Sequence, residues 1–349
     1  MKRLISLILV LALLLGCSAN PEMPAGDEVQ VRGEEYTSYV YAMDTVMTLR
    51  AYSDTDLNQT LANISGAIGD LEKRISVTDE NSEIYAVNSS TGAYELSEDT
   101  AEIVSRALEV CRSTYGILDI SIYPVVRDWG FTTGDYKIPN YNDLVAMMKK
   151  VDYSKISLEG TTLTLSPGQQ IDLGSVAKGY VGDMAAKMLE DAGVTSAVLD
   201  LGGNIRLVGS HPDGDAWRVG IQDPLDSSEY FGIISVENKS LVTSGGYNRY
   251  FEKDGKTYWH IIDPRTGYPA DNGVISATIV GDDGLMCDAL STATFIMGVN
   301  DAFDYWRRTG GFDMLLVTKN GNIFITPGLE NSFELLNKYA DDYTVKVVH

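Results

Sequence analysis

Apolar residues at Leu57, Leu61, Ile64, Ile68, Leu71 and Ile75 recur every three or four positions, the repeat of one helix face. Ile103, Val104, Ala107, Leu108 and Cys111 repeat the pattern after Ser97, which is suited to an N-cap. A third helix is predicted over 175–191, with Val176, Tyr180, Met184, Met188 and Leu189 on its apolar face and Gly193 as its stop. From Ala197 the period shortens towards two. Strands are predicted in AVLDLGGNIRLVG, WRVGIQD, FGIISVE, NRYFEKDGKTYWHII and MLLVTKNGNIFIT, with hairpin turns at Asp254-Gly255 and Asn320-Gly321. Between the last two, GVISATIVGDDGLMCDALSTATFIMG reads as a strand followed by a helix. Helices cluster early and strands late instead of alternating, which favours an α+β fold over a doubly wound sheet.

The N-terminus follows a different pattern. Lys2 and Arg3 precede an apolar run, Leu4 to Leu15, that ends in Gly16-Cys17 and turns polar at Ser18. The run is short for a membrane span and reads as a secretory signal. Small residues before a cysteine resemble a bacterial lipobox. Residues 1–16 are then a lipoprotein signal peptide, and Cys17 becomes the palmitate-bearing mature N-terminus; a plain signal with an incidental cysteine is the alternative. Residues 17–35, rich in Pro, Gly and Glu, read as a flexible tether, and 36–349 as one compact domain. The expected location is extracytoplasmic, lipid-anchored to the bacterial cell membrane.

Charge narrows the partners. The 349-residue chain carries 49 acidic and 27 basic residues; without residues 1–16 the balance is 49 to 25, a net −24. Such a surface argues against nucleic acid as a partner, so an anionic ligand has to be held by local groups. Of the three cysteines, Cys111 and Cys287 remain once Cys17 is modified, and whether they bridge cannot be read from spacing.

Three segments carry candidate chemistry. In QQIDLGSVAKGYVGDMAAKML (169–189) a helix start presents free N–H groups and a positive dipole end beside Lys178, a setting for a phosphate, with Asp172 on the strand side. An ordinary strand-to-helix turn with a surface lysine fits the same residues. Asp288 and Thr292 lie four apart on one helical face, where their oxygens suit Mg²⁺; plain helix-surface positions are the other reading. His260 precedes the turn Asp263-Pro264-Arg265-Thr266-Gly267 and is the strongest candidate for a neutral-pH base among three histidines, or else a strand-end histidine bonded to a carbonyl.

In order along the chain, Met43-Asp44-Thr45, SVTDENSEI (76–84), GILDISIYPVVRDWGF (116–131), IDLGSVAKGY (171–180), LDLGGNIRLVG (199–209), HIIDPRTGYP (260–269) and DALSTA (288–293) resemble the FAD:protein FMN transferase family, the ApbE-type flavin transferases. The resemblance implies an ApbE-like fold: mixed and antiparallel sheets packed with helices, in two closely associated subdomains with the active site in the cleft between them. It implies transfer of the FMN moiety of FAD to a Ser or Thr hydroxyl of an acceptor redox protein, with AMP released and Mg²⁺ or Mn²⁺ as cofactor. The flavin-nucleotide contacts it implies are Met43, Thr78, Ile117, Leu118, Asp119, Asp172, Lys178 and Ile262. The implied metal ligands are Ser175 through its carbonyl, Asp288 and Thr292, with Ser291 adjacent where some members place an aspartate. His260 takes the catalytic role. This chain departs from the common pattern at Asp44 (Gly), Thr78 (a larger aromatic), Ser175 (Ala or Gly) and Ser291. A Mg²⁺-dependent FAD pyrophosphatase and a non-catalytic FAD-binding lipoprotein are the alternative functions.

Overall fold

The computed structural model describes residues 33–90 and 92–349, so the signal peptide, Cys17 and nearly all of the tether lie outside the described residues. The described chain is organised by a nine-stranded sheet whose strands follow one another in space as they do in sequence. In order they are Glu34–Ala42, Thr45–Ser53, Ser196–Asp200, Asn204–Gly209, Ser240–Gly245, Val274–Gly281, Asp313–Thr318, Asn322–Ile325 and Thr344–Val347. Every neighbouring pair is antiparallel except the last, which is parallel. The first strand starts at Glu34, two residues inside the predicted tether.

Alternation along the strands gives the sheet two apolar faces. Val242, Ile279, Met314 and Leu316 face a core shared with the helices, while Leu241, Val280, Leu315 and Val317 face a second core closed by Trp217, Phe231 and Ile234. Those three belong to a small sheet of Trp217–Gln222, Tyr230–Val236 and Phe333–Leu335. The mixture is the expected α+β fold. Residues Arg32–His349 form a single compact unit, so the cleft expected between two subdomains lies within one body.

The first two predicted helices are Asn58–Ile75 and Glu98–Ser113, with the expected residues buried. Ser97 holds the N-cap position, but its hydroxyl meets Glu83 and Thr100 instead of the helix backbone. The third runs Ala177–Asp191 and differs in its buried face: Ala177, Gly179, Val181, Gly182, Ala185, Ala186 and Leu189 are buried, while Tyr180, Met184 and Met188 flank them half-buried. Small residues are selected there because this helix lies very close to the helix Gly284–Met297. A Cβ on Gly179 would sit 2.1 Å from the Gly284 carbonyl oxygen, and one on Gly284 2.6 Å from that of Gly179. Short helices at Glu83–Ser89, Tyr123–Asp128 and Tyr141–Met148, and the helix Val299–Thr309, were not predicted. Cys111 and Cys287 are buried free thiols, so no bridge joins them.

Candidate functional site

Three excursions from the sheet and one hairpin tip enclose a cavity of about 660 Å³. The hairpin tip is Met43-Asp44, a two-residue turn whose φ values of 53° and 60° match a type I′ turn. Glu72 accepts from the Met43 N–H at 2.6 Å, tying the tip to the first helix. Residues 54–195 contribute Thr78, Ile117, Leu118, Asp119, Asp172, Ser175 and Lys178; 246–273 contribute Arg249, His260 and Ile262; 282–312 contribute Asp288 and Thr292. Segments more than 200 residues apart in sequence therefore meet at one wall.

The glycine-to-glycine crossing places Asp288 against the start of the helix Ala177–Asp191. Its carboxylate, 5% exposed, accepts the Gly179 N–H at 2.8 Å. Val176 and Ala177 donate to the Leu173 carbonyl. This corrects the expectation of free N–H groups for a phosphate: the anion held at this helix start is the protein's own carboxylate. Burial pushes the Asp288 pKa up, opposed by Lys178, the Gly179 N–H and nearby Asn204. The neighbouring helix is held in place by Asp183, whose carboxylate accepts from the N–H groups of Gly284 and Leu285.

Thr292 follows one turn after Asp288 and its hydroxyl lies 3.3 Å from that of Ser244. Ser291 is different: fully buried, it donates to the Asp288 carbonyl and pairs with Ser244 at 2.7 Å, and it does not line the cavity. A helical step of 100° turns it away from the face that Asp288 and Thr292 share. Among the described residues no three His, Cys, Asp or Glu side chains gather as a metal cluster. The predicted donor set, one carboxylate with a hydroxyl and a carbonyl, holds only one residue of those types. A half-satisfied buried carboxylate beside hard oxygen donors fits a Mg²⁺ that keeps waters or ligand oxygens in its other positions.

Asp119 also borders the cavity, but its carboxylate is occupied by the Ser121 N–H and hydroxyl (2.9 and 2.6 Å) and the Tyr153 N–H (3.0 Å). It shapes the wall at Ile117 and Leu118 and has little left to offer a ligand. Asp172 accepts from the Gly174 N–H at 2.8 Å; burial raises its pKa, opposed by Gly174 and by the charge of Arg249. Thr78 stands exposed at the rim, while Leu118 and Ile262 are buried in the wall.

His260 lies just past the strand Lys256–Trp259, half-buried in the cavity wall. Its Nδ1 is 3.1 Å from the Arg249 carbonyl. A carbonyl only accepts, so Nδ1 carries the proton and Nε2 keeps its lone pair. Burial pulls its pKa down to about 4; the bond to Arg249 opposes this, and the charges of Arg249 and Lys178 reinforce it. The imidazole is therefore neutral at physiological pH. The Arg249 guanidinium reaches across to Asp44 at 3.2 Å. Sequence reading missed Arg249, Asp183 and Asn204; the glycines Gly179 and Gly284 were its only available signal for the crossing.

The ApbE family model matches residues 43–316. A Klebsiella pneumoniae protein named FAD:protein FMN transferase is 29% identical, with 83% of this chain and 92% of its own length covered. One of the same name from Vibrio cholerae is 31% identical over 82% of this chain and 85% of its own. The crystal structure of the ApbE protein from Thermotoga maritima superposes with a TM-score of 0.78 at 27% identity, covering 89% of this chain and all of that one.

Proposed function

The chain belongs to the ApbE family, and from that premise we propose that it is an FAD:protein FMN transferase that uses Mg²⁺. The observation that carries the reading is one cavity joining a base-competent His260 to Lys178, Asp288 and Thr292. Chemistry of this kind asks for positioning and charge neutralisation more than for covalent help. Asp288, Thr292 and the Ser175 carbonyl would hold the cation, which supplies charge neutralisation at the diphosphate when bound. Lys178, whose charge reaches Asp288, supplies a second positive charge.

The acceptor Ser or Thr oxygen attacks the FMN-side phosphorus, a new P–O bond forms, the bridging P–O bond breaks, and AMP leaves with the bridging oxygen. His260 Nε2 takes the hydroxyl proton. Met43, Thr78, Ile117, Leu118, Asp172 and Ile262 would cradle the flavin nucleotide, with Asp172 accepting from one of its donors. Water in place of the acceptor would split FAD into FMN and AMP at the same site. Cys17 is proposed as the lipid anchor, holding the domain at the outer face of the cell membrane; Cys17→Ala should move the protein from the membrane fraction to the soluble one.

The deciding experiment mixes the protein with FAD, Mg²⁺ and candidate acceptor domains and looks by mass spectrometry for one added FMN. His260→Ala should still bind FAD while transfer falls by about 10²- to 10⁴-fold. Near wild-type transfer by that variant would remove His260 from the mechanism.

A further inference from the structure

The segment Leu201-Gly202-Gly203-Asn204 sits at the cavity and has no role in the reading above. Gly202 and Gly203 have φ values of 77° and 96°, and a Cβ on Gly202 would fall 2.2 Å from the Thr45 hydroxyl oxygen. Glycine is required there so that the turn can close against the Met43-Asp44-Thr45 hairpin. Leu201 N–H donates to the Asn204 carbonyl at 2.8 Å, and Asn204 pairs with Val242, next to the cavity-lining Thr243 and Ser244. The tight turn thus fixes Asn204 in the cavity wall.

Asn204 is 3% exposed, and its Nδ2 has no hydrogen-bond partner. A buried amide donor without an acceptor is costly, and such groups are ordinarily paired. Its carboxamide favours the Asp288 carboxylate form as a donor at long range, short of a closed hydrogen bond. Its N–H groups therefore lie beside a carboxylate whose one closed hydrogen bond is from the Gly179 N–H, with the Lys178 N–H also favouring its charged form.

We infer that Asn204 is a positioning residue of the diphosphate site: its buried carboxamide N–H groups steer the Asp288 carboxylate towards the cation that would face the nucleotide. The inference rests on the reading of Asp288, Thr292 and Ser175 as cation ligands. It makes the Gly-Gly turn part of the substrate site, acting through the residue that follows it.

The test is calorimetric titration of ADP into the full chain at a series of MgCl₂ concentrations, which needs neither flavin nor acceptor. Asn204→Ala and Asn204→Asp should both weaken Mg²⁺-dependent ADP binding by roughly tenfold and raise the Mg²⁺ concentration for half-maximal binding, with melting temperature checked to show that both fold. Asn204→Asp keeps the size and loses the donor. Wild-type ADP affinity in Asn204→Asp shows that the N–H groups are dispensable and overturns the inference. Asp288→Ala is the control. If it abolishes the Mg²⁺ dependence while both Asn204 variants keep it, only this inference falls; if it leaves the dependence intact, the cation reading falls as well.

Discussion

Asp223 and Asp288 are equally hidden, each 5% exposed, but they sit in opposite layers and are treated differently. Asp223 lies behind the sheet near the Trp217 and Phe231 cluster, where its Oδ1 accepts from the Tyr343 hydroxyl at 2.8 Å and the Leu225 N–H at 2.9 Å. Asp288 lies on the cavity side with one hydrogen bond, an undersatisfied neighbour in Asn204 and the Lys178 charge nearby. Burying a carboxylate is costly unless donors compensate. The layer behind the sheet supplies them. The cavity layer withholds them, and the shortfall is what a cation or substrate can fill.

The sharpest break of this contrast is Asp288→Asn. Mg²⁺-dependent transfer should drop by about 10²-fold or more, because the ion's charge stabilisation is worth several kcal/mol. The melting temperature of the metal-free protein should hold or rise, since the buried charge is gone. A fall in both would place Asp288 with Asp223 as a structural group.

Asp223→Ala is the mirror experiment. It leaves the Tyr343 hydroxyl unpaired and should cost about 1–3 kcal/mol in denaturant unfolding, while transfer per folded molecule stays near wild type.

Acid sharpens the comparison on the cavity side. The folded pKa of His260 is about 4, below the ordinary value of 6.5. Between those values the unfolded chain binds the extra proton, so stability from this residue is present above pH 6.5 and lost as pH falls towards 4. Melting curves should show that part of the decline flattened in His260→Gln.

The smallest effect belongs to the Asp44–Arg249 pair, with Asp44 78% and Arg249 43% exposed. Asp44→Gly should change stability by less than about 1 kcal/mol, helped by glycine's ease at positive φ. Any change in FAD affinity should shrink with added salt.

Much of this was legible in the chain because periodicity and composition are local. The helices at 58–75 and 98–113, the late strands and the ordered motifs that resemble the ApbE family all come from short windows. What was less legible depends on how each side chain is packed and bonded. Helical spacing places Val176, Tyr180, Met184, Met188 and Leu189 on the apolar face of the helix Ala177–Asp191, but its partner helix demands the smallest residues, so Tyr180, Met184 and Met188 stay half-buried. Asp119 lines the cavity as the resemblance implies, with Ser121 and Tyr153 holding its carboxylate. Ser291 follows its neighbours in sequence and turns from them in space. Asn204 had no signal, since an unpaired amide is visible only once its surroundings are known.

The order of the nine strands has an evolutionary corollary. Each excursion leaves and rejoins the sheet at adjacent strands, so doubling its length adds only about 0.6 kcal/mol of closure entropy. A lineage could remodel the hairpin beside His260 to suit a new acceptor without disturbing the framework, and an engineer could exchange that segment between relatives as a cassette.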